Sequence, residues 1–156
     1  MKFKIREAVL AAVLVVFIAF LFHRSAGGTD KPLSEIAPPV LSVLGTEDMT
    51  EKTAVEAASV FGYDRETASE TVYWENGSVM DVTELLIVKL SDASDGADMR
   101  SLIEKRVEEQ KNLYRSYAPE QYALLEKCVI EVSGNVVFYC TADNAQQVYE
   151  TFKKQL

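Results

Sequence analysis

With one histidine, two cysteines and one tryptophan among 156 residues, the chain leaves little room for the commonest catalytic constellations. The histidine, His23, abuts an apolar run near the N-terminus. A Ser-His-Asp triad, a Cys-His pair and a histidine-bearing zinc site are therefore excluded from the rest of the chain. Cys128 and Cys140 alone do not complete a structural zinc site. Gly27-Gly28 is a pair, while Gly77, Gly96 and Gly134 are isolated turn glycines, so no glycine-rich phosphate loop exists. The stretch "DASDGAD" (residues 92–98) is acidic like a calcium loop but lacks the twelve-residue spacing and the terminal glutamate. No catalytic residue, metal ligand or cofactor is expected.

Long runs of one charge are missing as well. Residues 1–28 hold Lys2, Lys4, Arg6 and Arg24 against Glu7, a net +3, so the remainder carries −11 of a chain whose total is −8. That acidic excess keeps a domain soluble and argues against a nucleic-acid or anionic-lipid surface.

What is present begins with "MKFKIRE" and the apolar run "AVLAAVLVVFIAFLF", residues 8–22. Fifteen apolar residues fit a signal-peptide core and fall short of the roughly 20 that span a membrane comfortably. Against this, the run stays rich in Val, Phe and Leu to its end, and His23 and Arg24 can snorkel to an interface. Two arrangements follow. Residues 1–26 form a retained single-pass anchor with the C-terminal domain outside, as the basic n-region favours, or a signal cleaved near Gly27 that releases a secreted domain.

Residues 27–46, "GGTDKPLSEIAPPVLSVLGT", read as a flexible tether, because Pro38-Pro39 argues against a regular helix. A globular domain is expected over 47–156. "EDMTEKTAVEAASVFG" carries a helical stripe through Met49 that Gly62 stops, and "SETVYW" and "SVMDVTELLIVKL" read as strands about an "ENGS" turn. "LLIVKL" is apolar enough to be covered on both faces. From Met99 to Tyr117, apolar residues recur at three and four as in a long helix across a sheet. "YAPEQYALLEK" follows as a short helix with Pro119 at its first position, then the hairpin "CVIEVSGNVVFYC" and a closing helix. The order α-β-β-α-α-β-β-α predicts an α+β domain: a single antiparallel sheet of about four strands, with helices on one side.

Two groups of side chains stand out. Tyr73 with Trp74, and Tyr114, Tyr117 and Tyr122 at the junction of two helices, are candidate partner surfaces; the plainer reading is core and junction packing. Cys128 and Cys140 flank the hairpin. A three-residue turn, Ser133-Gly134-Asn135, sets Val132 across from Val136, Ile130 from Phe138 and Cys128 from Cys140, and is preferred for its single apolar face. That register permits a cross-strand disulfide in an exported protein, with two buried thiols as the alternative. A two-residue Gly134-Asn135 loop would instead put the cysteines on opposite faces.

The motifs "FGYD", "ELLIVKL", "IEKRVEEQKNLYRSYAPEQYALLEKCVIEVSGNVVFYC" and the closing helix make residues 47–154 resemble a family of uncharacterised bacterial extracytoplasmic proteins, the domain of unknown function numbered 4358, found mostly in Clostridia-like Firmicutes. The resemblance implies a lipoprotein signal or a membrane segment ahead of the domain. This chain departs by having no lipid-attachment cysteine, so attachment would rest on residues 8–22. The expected function is that of a non-catalytic, membrane-tethered domain that binds a cell-envelope or protein partner; the alternative is an envelope hydrolase working through carboxylates or a bound metal.

Overall fold

The computed structural model describes residues 13–14 and 28–156. Apart from Val13 and Leu14, the expected anchor or signal at residues 8–22 lies outside the described residues. Among the described residues no helix is long and apolar enough to cross a membrane.

Five strands form one antiparallel sheet: β1 (Met49–Lys52), β2 (Ala68–Asn76), β3 (Glu84–Leu90), β4 (Val129–Ser133) and β5 (Val136–Thr141), in the spatial order β1-β2-β3-β5-β4. Helices cover both faces, not one. On the first face, α2 (Ala54–Phe61), α3 (Gly96–Tyr114) and α4 (Pro119–Glu126) enclose Tyr73, Leu86, Val88, Val137 and Tyr139. On the second, α1 (Leu33–Leu44) and α5 (Ala145–Lys153) enclose Leu85, Ile87, Phe138 and Cys140. Strand alternation sends successive side chains of β3 and β5 to opposite layers, which is why "LLIVKL" is apolar at every position but Lys89, as expected for a strand covered on both sides.

Helix α1 corrects the expectation of a flexible tether. Pro38 and Pro39 sit inside it, where each removes a hydrogen bond to the carbonyl four residues back. Those carbonyls belong to Ser34 and Glu35, both exposed, so water can satisfy them. Leu33, Ile36, Ala37, Val40 and Leu44 are buried against the sheet. At about 1.5–3 kcal/mol per buried large aliphatic side chain, that stripe outweighs a penalty of about 3 kcal/mol per proline. The Leu33 amide donates to Glu70 Oε2 at 2.7 Å, a carboxylate at the positive helix end. The folded domain thus reaches back at least to Thr29, whose amide donates to Asn135 Oδ1 at 3.0 Å.

Other boundaries shift for equally local reasons. Met49 lies in β1, and α2 starts only after Thr53, whose hydroxyl accepts from the Glu56 amide while Glu56 Oε2 accepts from the Thr53 amide, a reciprocal cap. The β2–β3 connection occupies residues 77–83 rather than a tight "ENGS" turn: the Ser78 amide donates to Asn76 Oδ1 and the Thr83 amide to Asp81 Oδ1. The β4–β5 hairpin pairs Ser133 with Val136, so its loop is the two-residue Gly134-Asn135. Gly134 has φ +56° and, among the described residues, none other than glycine has positive φ, the signs of a turn with glycine first. The preferred three-residue register is therefore wrong. It was chosen to put all large side chains on one face, and here both faces are buried.

Entry of the described chain at Thr29 and the hairpin turn lie at one end of the sheet. The β2–β3 connection lies at the other, with the C-terminal turn of α3, where Tyr114 Oη donates to the Val79 carbonyl at 3.0 Å.

Candidate functional site

Glu84 is the first residue of β3 and, at 2% exposure, a carboxylate buried in the core. Such a group needs a charge partner and filled lone pairs. Arg106, from the middle of α3, provides both: its Nε donates to Oε1 at 3.2 Å and its Nη2 to Oε2 at 2.9 Å. Tyr139 Oη donates to Oε1 at 2.7 Å, and Thr141 Oγ1 donates in turn to Tyr139 at 2.8 Å. Tyr73 Oη lies 3.1 Å from Glu84 Oε2 and 2.7 Å from Glu75 Oε2, so one phenol proton faces two carboxylates. Glu75, the cross-strand neighbour of Glu84, pairs on its other oxygen with Lys52 at 2.9 Å. The Arg106 guanidinium also stacks 5.0 Å over the Phe61 ring.

Lys52, Glu75, Glu84 and Arg106, an ion-pair chain linked through the buried Tyr73, form one wall of a cleft of about 350 Å³ on the first face, between β1, the β2–β3 connection and α3. Burial opposes the charge on Arg106, but Glu84 more than offsets it and holds the guanidinium above its ordinary value. Burial, reinforced by Glu84, pushes Tyr73 and Tyr139 up. Glu75 ends below the usual carboxylate range: burial would raise it, and the hydrogen bonds from Lys52 and Tyr73 prevail. Within the same cleft wall, Gln110 Oε1 is buried and has no hydrogen-bond partner among the described residues.

A second cleft, about 470 Å³, opens on the other face of the same sheet edge, between α1 and β1–β2, and is lined by Pro38, Leu41, Glu51, Glu70, Val72 and Trp74. Trp74 Nε1 is likewise buried without a partner.

The aromatic residues singled out from the sequence separate accordingly. Tyr73 is fully buried and belongs to the ion-pair chain, while Trp74, one residue on, points to the other face. Tyr114 is buried, with its ring 5.4 Å from that of the exposed Tyr117. Tyr122 is half-buried, under the Arg115 guanidinium at 5.7 Å. Around Tyr114 the exposed side chains are Leu113, Tyr117 and, across its hydroxyl, Val79 and Met80. Cys140 faces the second core layer opposite Val129, and Cys128 packs against the first; both are free thiols. Burial raises both thiols. Among the described residues no group of three or more His, Cys, Asp or Glu is placed to hold a metal. Sequence reasoning missed Glu84, Arg106 and Gln110. The available signal was a lone carboxylate opening an otherwise apolar strand, with an arginine beside the buried stripe of α3.

The family described as Domain of unknown function (DUF4358) matches residues 42–142, from the end of α1 through all five strands to just beyond β5. The chain belongs to that family. The DUF4358 span holds the whole sheet, α2–α4 and the ion-pair chain, whereas most of α1 and all of α5 lie outside it. No curated protein and no solved structure matches the chain.

Proposed function

We propose that this is a non-catalytic extracytoplasmic domain, held at the membrane by its N-terminal segment, that binds a protein partner of the cell envelope. The observation carrying this reading is the condition of the cleft's ionisable groups. Lys52 is matched by Glu75 and Arg106 by Glu84. Glu75 is held low, Lys52 and Arg106 high. General acid–base catalysis asks for a group near half-ionisation, and these are locked in their charged forms. The thiols are raised, the reverse of an activated nucleophile. What the cleft offers is shape, fixed donors and acceptors, and Val79, 90% exposed in its lining. Met80, next in the chain, and Leu113 and Tyr117, next to and three residues beyond the lining residue Tyr114, are exposed apolar side chains as well. Exposed apolar groups of this kind anchor partners. The tether to the membrane is supported by the basic residues and apolar run of residues 1–24.

Intact mass of native protein from membrane and medium tests the location. A full-length mass in the membrane fraction supports the tether, and a mass starting near Gly27 in the medium removes it. A photo-crosslinking residue at Met80 or Leu113 in cells tests binding, with Glu109, exposed elsewhere on α3, as control. A discrete protein adduct from the first two positions supports the reading. Turnover of envelope polymer by the purified chain, lost on Glu75→Gln, would replace it with the hydrolase reading.

A further inference from the structure

We infer that the free edge of β1 accepts an extended segment of a partner protein as a sixth strand, with basic side chains entering one cleft and apolar side chains carrying an acceptor at the tip entering the other. The inference rests on the reading of the domain as a binding module and narrows it to one edge.

Among the described residues, strand β1 ends the sheet and pairs only with β2. Thr50 and Lys52 face the first cleft and line it, while Glu51 faces the second. Both clefts therefore open beside the same four-residue edge, one on each face. An added strand forms main-chain hydrogen bonds with the edge and presents alternate side chains to opposite faces. It would supply the two clefts in turn from consecutive residues.

Each cleft also holds a buried polar atom that nothing in the described residues satisfies. In the first it is an acceptor, Gln110 Oε1; in the second a donor, Trp74 Nε1. Buried polar atoms of this kind are uncommon and costly, and here the two flank one strand. Their chemistry, with that of their surroundings, selects the side chains. In the first cleft Lys52 and Arg106 are matched by Glu75 and Glu84, which leaves Asp81, with no ion pair among the described residues, and the acceptor Gln110 Oε1. That remainder suits an ammonium or guanidinium. The second sets Ala37, Leu41 and Val72 around Trp74, which suits an apolar body with an oxygen at its tip, such as tyrosine. The −11 carried by residues 29–156 favours a basic segment at long range as well. Lys52, which could blunt the edge against strand pairing, is folded back onto Glu75.

The test uses the full chain, isotopically labelled, and an acetylated and amidated seven-residue peptide alternating lysine and tyrosine. Trp74 is the sole tryptophan, so its indole N–H gives one assignable resonance. The expected result is saturable shifts of that resonance and of the Thr50, Glu51 and Lys52 amides. Methylating one alternate set of the peptide's backbone nitrogens should weaken binding about tenfold or more, and methylating the other set should not, because only one set faces the edge. Gln110→Leu, which removes an oxygen with no hydrogen-bond partner among the described residues, should also weaken binding without lowering the melting temperature. Equal binding of both methylated peptides, equal binding of a glutamate–tyrosine peptide, or shifts centred on β4 would each overturn the inference. Peptide-independent self-association through β1 would overturn it in favour of a second copy of the chain. If crosslinks form at Met80 while β1 stays silent, the binding module stands and this edge is wrong. If both fail, the module reading falls too.

Discussion

The Arg106 guanidinium grips the Glu84 carboxylate side-on, Nε to Oε1 at 3.2 Å and Nη2 to Oε2 at 2.9 Å, and so ties the middle of α3 to the first residue of β3. Two parallel hydrogen bonds fix orientation as well as distance. Phe61, Tyr73 and Tyr139 pack around the pair, burying the Glu84 end while the Arg106 side chain keeps 24% exposure at the cleft. Removing one partner from such a pair leaves a buried charge, at a cost of about 3–5 kcal/mol. Because the orphaned Arg106 is partly exposed at the cleft, Glu84→Gln should lower unfolding stability by up to about that much in urea titrations. Adding Arg106→Met removes the orphaned charge while glutamine still accepts from Tyr139, so the double variant should be more stable than Glu84→Gln alone. Single-variant losses below about 1 kcal/mol would mean the pair is not buried as described.

The two tyrosines on Glu84 give the fold an alkaline limit. Burial, and then the Glu84 charge, keep Tyr73 and Tyr139 protonated in the folded chain. In the unfolded chain they ionise near pH 10. A group with a raised folded value contributes stability that is whole below the unfolded value and is lost as pH rises towards the folded one. Stability should fall above about pH 9–10, by up to about 1.4 kcal/mol per pH unit for each phenol. Tyr139→Phe should be less stable at neutral pH, having lost its bond to Glu84, and should show an alkaline slope shallower by one phenol's share, with Tyr73 and the raised Cys128 and Cys140 thiols among the groups carrying the rest. At the acid end the sign reverses. Glu75, held low, contributes above its unfolded value of about 4.3 and loses that contribution as pH falls. Glu75→Gln should flatten the acid limb alone.

Much of this fold was legible because its strongest signals are periodic. The stripe Met99, Ile103, Val107 and Tyr114 is the buried face of α3, Pro119 opens α4, and the nearly continuous apolar run of β3 announced layers on both sides. The misreadings share one cause, local rules overridden by tertiary burial. Proline penalises a helix, yet α1 forms because Ile36 and Val40 have a sheet to pack on. A one-sided sheet would have needed Phe138 on the face of Ile130, whereas helices on both sides let the two-residue loop stand. The ion-pair chain was invisible for a further reason. Lys52, Glu75, Glu84 and Arg106 come from four elements, and no spacing in the sequence announces their meeting.

The corrected hairpin register makes a sharp statement about the thiols. Cys140 is fully buried opposite Val129, while Cys128 packs on the other face of the sheet. No disulfide should form between them in the folded chain, even under mild oxidant. Alkylation of native protein should leave Cys140 unmodified and modify Cys128 slowly, since burial raises its thiol. Denaturation should expose both. An intact mass two hydrogens short of the dithiol, with no label after denaturation, would show a bond that this register does not allow.

Gly96 opens α3 with ordinary helical angles, so its value is space and not backbone freedom. A Cβ there would lie 2.7 Å from Val132 Cγ1 on the edge strand β4. Valine is stiff about its first side-chain torsion, and Val132 is packed against the first core layer, so the clash cannot be relieved by a simple swing. Gly96→Ala should cost about 1–3 kcal/mol, the usual penalty of overpacking, even though alanine favours helices elsewhere. Val132→Ala opens the missing space, so the double variant should lose less than the two single losses combined. Strict additivity in thermal or urea unfolding would mean that α3 and β4 do not approach this closely in solution.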